Sequence, residues 1–450
     1  MPAFFVLHIT NKTPRRKACP EPGRRVRQGF CKIRLRDHCV EDFPAIHQIA
    51  NIIKTEYNQI MKTILLRKNQ ERRIKAGHPW VFSNEIWKMP DRLYPGEDVQ
   101  VSDSRGHLIG SGFYNPHSLI SVRIYSRERR EFDRELIRER LKQADDLRQR
   151  FYPGSKFYRL CYGESDGLPG LIIDRYDRQL VLEIMSLGTD CRKDFVVESL
   201  REQFDPECIY ERSDSYSRKL EGLTPAIGAL HGQLRSEITL EENGLKFSAD
   251  LMYGQKTGWF FDQRDNRAAL HPYVRGRTVL DCFCHTGGFA VNAAAGGASE
   301  VTGMDISPAA VEMAGRNAAL NGLQKTCRFR KADVMQELKI MTESDVKYDL
   351  VILDPPAFAK NKKSVESALK GYKEINLRAM KLLPRGGILV SCSCSYHIEE
   401  EQFRVMLVDA ARDAGRTIKL LEFRHQAKDH PVLLASKETQ YLKCAFMAIE

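Results

Sequence analysis

Two short stretches carry residue types that could do chemistry together. Gly386 to His397 reads GGILVSCSCSYH: a glycine turn, the apolar run Ile388-Leu389-Val390, then Cys392 and Cys394 spaced as Cys-Ser-Cys. Such a run is expected as a buried strand that delivers its thiols to its C-terminal end, where open parallel sheets bind ligands. Upstream, Leu350-Val351-Ile352-Leu353 leads into Asp354-Pro355-Pro356-Ala357-Phe358. Chance would place Asp-Pro-Pro somewhere in a chain of this length roughly one time in twenty. Its two prolines make a stiff turn that holds a carboxylate and a base-stacking ring at the sheet edge. A thiolate adding to C6 of a cytosine turns C5, a poor nucleophile, into an enamine carbon that can take a methyl group. Asp354 could hydrogen-bond or protonate N3 as that adduct forms. Cys394 lies later, at the open end, and is the expected nucleophile, with Cys392 a buried neighbour or a backup nucleophile. The same turn also suits methylation of an exocyclic amine, which needs no thiol.

The elements that must position these residues alternate from about residue 253 onward. Strands are predicted at Thr278 to Cys282, Glu300 to Asp305, Thr326 to Lys331, Tyr348 to Leu353 and Ile388 to Ser393. Helices lie between them at Gly288 to Ala295, Pro308 to Asn321, Val334 to Met341 and Val365 to Leu383. That is the pattern of an α/β doubly wound sheet, which Glu400 to Ala414, Thr417 to Glu422 and Tyr441 to Ala448 would complete.

After the first strand comes Asp281-Cys282-Phe283-Cys284-His285-Thr286-Gly287-Gly288-Phe289, whose glycines let backbone close on a ligand before a helix begins. It is not G-x-G-x-x-G, which weakens a dinucleotide reading. Asp305 ends the second strand, where an acid can take the two hydroxyls of a ribose, and Asp333 ends the third, where an adenine would lie. Each acid alone is as well explained as a helix N-cap. Three such strand-end features in succession are not. This pattern resembles class I S-adenosylmethionine-dependent methyltransferases.

The remainder bounds the molecule. At 450 residues it is expected to divide into several cores. The formal charge of +11 is uneven: residues 1–60 hold 11 Lys and Arg against 5 Asp and Glu. That stretch is expected to be a disordered extension or a mis-assigned start, with Met61 opening the first domain. Twelve cysteines make no C-x-x-C pair and no zinc-type spacing, so reduced thiols and no metal are expected. With no export signal and no membrane-length apolar run, the expected location is cytoplasmic. Residues 61–128 read as short strands and turns behind a basic, helix-like opening with Gly77-His78-Pro79-Trp80-Val81-Phe82, and look like a PUA domain, a small RNA-binding β-barrel. Residues 129–250 begin with an amphipathic linker helix in Arg127 to Arg150, whose arginines are expected on a solvated face. An α+β middle domain follows, ending in a hairpin turned by Asn243-Gly244.

From Met61 onward the chain resembles the bacterial large-subunit ribosomal RNA cytosine-5 methyltransferases with an N-terminal PUA domain. The resemblance rests on GHPWVF, KTGWFFDQRDNR, CHTGGFA, DPPAFAKNKKS, GYKEIN, SCSCS and DHPVLLASKETQYLK. It implies 5-methylcytosine formation in 23S ribosomal RNA, with Cys394 as nucleophile and Asp354 as its partner. It implies S-adenosyl-L-methionine held by 251–450 through Lys256, Thr257, Gly258, Gln263, Arg264, Asp281, Thr286, Gly287, Gly288, Asp305, Asp333 and Asp354. RNA contacts are expected at Pro355, Pro356, Phe358 and Lys360, with Lys362 and Lys363 able to meet phosphates or to form a solvated loop. Ala357, where some relatives have Lys, and the extra Cys392 depart from the family pattern. A homodimer stays open. The competing readings are a base N-methyltransferase of the same architecture and a non-catalytic RNA-binding ribosome-assembly factor.

Overall fold

Apolar strand runs build three large sheets and a two-stranded hairpin along the chain. The computed structural model describes residues 61–450 apart from 255, 256, 345 and 360. The expectations for residues 1–60, Lys256 and Lys360 lie outside the described residues. Six strands between Lys62 and Ser126 form the first sheet, closed over Ile64, Val81, Val99, Val101 and Val122. The helix-like opening is shorter than its composition predicts. Leu65 and Leu66 belong to a strand, Lys62–Leu66, paired in parallel with Asp98–Ser102, and only Glu71–Lys75 is helical. Long-range pairing overrides local helix propensity there.

The linker helix starts at Arg134, with the Asp133 carboxylate accepting from Leu136 N (2.8 Å) at its N-cap. Leu136, Ile137 and Leu141 are buried against the second sheet. One arginine departs from the solvated face. Arg148 is fully buried and donates twice to Asp166 (2.7 Å each) and once to Asp429 O (2.7 Å), so it clamps the linker to a distant segment. The second sheet runs Ala226–Gly232, Cys208–Ser213, Gln179–Ile184, Leu171–Tyr176, Phe157–Tyr162 in spatial order. The hairpin Glu237–Glu242 and Leu245–Asp250 turns at Asn243 and Gly244, both at positive φ. It packs toward the third sheet, with Phe247 4.7 Å from Trp259.

The third sheet comprises β1 (Thr278–Cys282), β2 (Glu300–Asp305), β3 (Cys327–Lys331), β4 (Leu350–Leu353), β5 (Ile388–Ser393), β6 (Ile418–Arg424) and β7 (Lys443–Ile449). Its order is β3-β2-β1-β4-β5-β7-β6. The first five strands are parallel, and β7 enters antiparallel between β5 and β6. Helices α1 (Gly288–Ala295), α2 (Pro308–Leu320), α3 (Val334–Thr342), α4 (Val365–Leu382) and α5 (Glu400–Asp413) cover its faces. Continuous apolar runs such as Leu350–Leu353 are wholly buried, as a sheet covered on both sides requires. The order reverses between β1 and β4, and at that switch point the C-terminal strand ends open a crevice. Among the described residues no helix is long and apolar enough to cross a membrane.

Candidate active site

The crevice is a cavity of about 370 Å³. Asp305 and Ile306 line it beyond β2, and Asp333, Val334 and Met335 beyond β3. Asp354, Pro355 and Pro356 line it beyond β4, and Cys394 beyond β5. Phe260, Asp262, Gln263, Phe283, His285 and Leu442 complete its wall.

The loop after β1 is held in an unusual shape. Phe283 and His285 both take positive φ (63° and 47°), a conformation costly for side chains of their size. Two carboxylates offset that cost. Asp305 accepts from His285 N (3.0 Å) and Ser307 N (2.9 Å), while Asp281 accepts from Ala290 N (2.9 Å) on α1. Gly287, at φ 82°, approaches α2 so closely that a Cβ there would lie 3.0 Å from Ala314 Cβ. Asp281 is fully buried, and burial, with the Asp354 charge adding to it, pushes its carboxyl well above the usual range. Burial also lowers the His285 pKa.

Asp354 is oriented by a relay of side chains. Gln263 Nε2 donates to Asp354 Oδ1 (2.9 Å), and Gln263 Oε1 accepts from Asn266 Nδ2 (2.7 Å). Asn266 Oδ1 in turn accepts from Arg424 Nε (3.1 Å) on β6. The Cys394 thiol is half-buried and lies 3.8 Å from Pro355 O, against the turn that carries Asp354. Ser395 ties the two loops together, its Oγ accepting from Ala359 N (3.2 Å) and lying 3.0 Å from the Tyr372 hydroxyl. Cys392 sits apart from this. It is fully buried, 3.2 Å from Cys444 Sγ on β7, and burial pushes its thiol well up. A buried thiol of that kind is inert.

Not every expected contact residue reaches the cavity. Thr257 is buried and its hydroxyl donates to Asp174 of the second sheet, and Gly258, at φ 117°, packs on Leu251. Arg264 donates to Phe157 O (2.9 Å) and stacks over Tyr152 at 4.3 Å. Thr257 and Arg264 thereby fasten the segment before β1 to the second sheet. Thr286 and Gly288 line a smaller recess of about 30 Å³ beside the loop. Asp333 both lines the main cavity and caps α3 through Oδ1, accepting from Met335 N at 3.0 Å. Phe358 is turned inward, its ring 4.6 Å from that of Tyr372, and does not line the crevice. Phe260, Asp262, Phe283, His285, Ile306, Val334, Met335 and Leu442 escaped sequence reasoning as wall residues. The unusual aromatic density of the stretch around Trp259 was the one signal that could have found Phe260.

The donor set fits an adenosyl group. A carboxylate offers about four lone-pair sites, and Asp305 spends two on backbone N–H groups, leaving capacity for ribose hydroxyls. Val334 and Met335 give an apolar slot beside Asp333, and a cavity of this size is typical of small-ligand sites.

Residues 64–127 match the model of a PUA-like domain, and residues 224–436 that of an S-adenosylmethionine-dependent methyltransferase. A ribosomal RNA large subunit methyltransferase I from Shewanella frigidimarina is 42% identical over 389 residues, covering 84% of this chain and 97% of that protein. The protein of the same name from Vibrio cholerae is 42% identical over 387 residues, with the same coverage. Among solved structures, a chain in complex with SAH superposes at a TM-score of 0.75 with 22% identity, covering 86% of this chain and all of that one. A Streptococcus mutans protein classed with the SAM-dependent methyltransferases gives 0.74 and 21%, with the same coverage. At such identity the likeness speaks for the fold.

Proposed function

The chain belongs to the ribosomal RNA large subunit methyltransferase I family of S-adenosylmethionine-dependent methyltransferases, and from that membership we propose that it methylates C5 of a cytosine in 23S ribosomal RNA. The observation that carries the C5 assignment is the half-buried Cys394 thiol, 3.8 Å from Pro355 O and on the same cavity wall as Asp354. An N-methyltransferase has no use for a thiol there.

The chemistry drawn from S-adenosylmethionine in its bound form is an electrophilic methyl group. Asp305 would accept the ribose hydroxyls, Asp333 with Val334 and Met335 would flank the adenine, and Gly287 would let the loop before α1 pack tightly on α2. Pro355 and Pro356 form a rigid wall against which the target base is held. The Cys394 thiolate bonds to C6, the ring electrons shift so that C5 becomes nucleophilic, and Asp354 stabilises N3. C5 would take the methyl group as the donor's sulfur–methyl bond breaks to leave S-adenosylhomocysteine; a base then takes the C5 proton, and the C5–H electron pair re-forms the C5–C6 double bond and expels the thiolate as the C6–S bond breaks. Residues 64–127 would contribute RNA affinity through the PUA-like fold.

Labelled S-adenosylmethionine and 23S ribosomal RNA lacking its modifications should yield 5-methylcytosine with this chain and none with Cys394→Ala. RNA carrying 5-fluorocytosine should trap a covalent adduct, because fluorine at C5 cannot leave as a proton does. Full methylation by Cys394→Ala would instead favour attack by an exocyclic amine.

A further inference from the structure

Lys443 opens β7 directly opposite Ser393, the residue before Cys394. It is 4% exposed. Its ammonium donates to Ser395 O (2.8 Å), Ile398 O (2.8 Å) and Tyr441 O (2.7 Å), all uncharged carbonyls. Two of these acceptors belong to the loop that follows Cys394, so one cation pins that loop to the neighbouring strand.

Holding a cation there has a cost. Burying an ammonium forfeits its hydration, and burial lowers the Lys443 pKa to about 8, while the charges of Cys394 and Glu400 work in the opposite sense. The charged and titratable groups around the pair are Cys394 itself, Glu400 on α5, Tyr372 on α4 through Ser395, and Asp354, which lines the same cavity as Cys394. Tyr441, whose hydroxyl donates to Asp262, lies on the approach to β7. Such coupling is reciprocal: whatever a thiolate does to favour the ammonium, the ammonium does to favour the thiolate.

We propose that Lys443 is a positioning residue for the nucleophile, fixing the loop after Cys394 and supplying the positive charge that favours its thiolate. The proposal rests on the reading of Cys394 as nucleophile. Loop fixation alone would need only a donor, so the charge is the part that an experiment must isolate.

The measurement is the pH profile of Cys394 alkylation by iodoacetamide in the full chain, read on the Cys394 peptide by mass spectrometry. In Lys443→Met the midpoint should rise by about one pH unit, and in Lys443→Arg it should stay within a few tenths of the wild-type value. Methyl transfer near pH 7 should fall about tenfold in Lys443→Met, through kcat and not through the KM for S-adenosylmethionine, and recover partly at higher pH. An unmoved alkylation midpoint overturns the proposal even where activity falls. Should Lys443→Met not fold, the reciprocal titration serves. The Lys443 midpoint, followed by 13C NMR of labelled lysine, should drop in Cys394→Ser relative to wild type, and an unchanged midpoint overturns the proposal. Full methylation by Cys394→Ala would instead sink the parent reading, leaving the coupling of thiol and ammonium to be judged by the titrations.

Discussion

Asp354 accepts from Gln263 across 91 residues of chain, and that contact sets where its carboxylate points. Gln263→Leu keeps the volume and removes the donor, freeing Asp354 to rotate. Methyl transfer should fall on the order of a hundredfold, the scale of a misplacement near 1 Å in a reacting site. Because Asp305 and Asp333 are untouched, S-adenosylmethionine affinity by calorimetry should hold, and an equal loss of both would assign Gln263 to the cofactor instead. Position at successive strand ends, more than residue type, made Asp354, Cys394, Asp305 and Asp333 legible as cavity residues. The tasks of Thr257, Arg264 and Phe358 were not legible. They depend on Asp174, Phe157 and Tyr372, partners that only packing brings near. Lys443 was hidden for the same reason, because nothing in QYLK distinguishes a buried ammonium from a surface one.

At the level of elements, the segment between the hairpin and β1 hangs on a buried ion pair. Arg267 donates to both oxygens of Glu242 (2.6 and 2.8 Å), Trp259 Nε1 donates to the same carboxylate (2.9 Å), and the guanidinium lies 4.9 Å from the Trp259 ring. Glu242→Ala leaves that guanidinium buried without its counterion, at a cost of about 3–5 kcal/mol. Urea unfolding should show the loss, with Glu242→Gln losing less because it retains an acceptor. A change under 1 kcal/mol in the Ala variant would mean water reaches Arg267. The strands and helices of the third sheet were predictable to within a residue or two, because their apolar runs are long and their glycine turns sharp. The strand Lys62–Leu66 was not, since its pairing with Asp98–Ser102 is invisible in local composition.

Across the whole molecule, residues 425–442 between β6 and β7 act as a strap. Asp429 O accepts from Arg148, the Asp429 carboxylate accepts from Arg159 N (2.9 Å), and Thr439 O accepts from the Tyr162 hydroxyl (3.0 Å). The strap also reaches the barrel, where Glu438 lies 3.3 Å from His78 Nε2 and Gly77 has no room for a Cβ beside Ala435. The His78 hydrogen bond, first among the causes, brings the Glu438 carboxyl down to about 2. A depressed carboxyl stabilises the fold above its unfolded pKa near 4.5, and that contribution drains away as pH falls toward 2. Wild type should therefore exceed Glu438→Gln in thermal stability at pH 5.5, with the gap closing between pH 4.5 and 2. A gap independent of pH would assign the contact to packing alone.

Arg123 lies in the seam between barrel and second sheet, bridging Glu164 (2.5 Å) and Glu221 (3.0 Å) beside the Trp80 ring. That arrangement limits how freely the barrel can be traded for another. A graft from a different protein would have to bring a cation to the same spot, or it would strand two carboxylates, one of them almost wholly covered. Chimeras that keep Arg123 and Trp80 should express as folded protein, whereas grafts that match the barrel's core but not its seam should not.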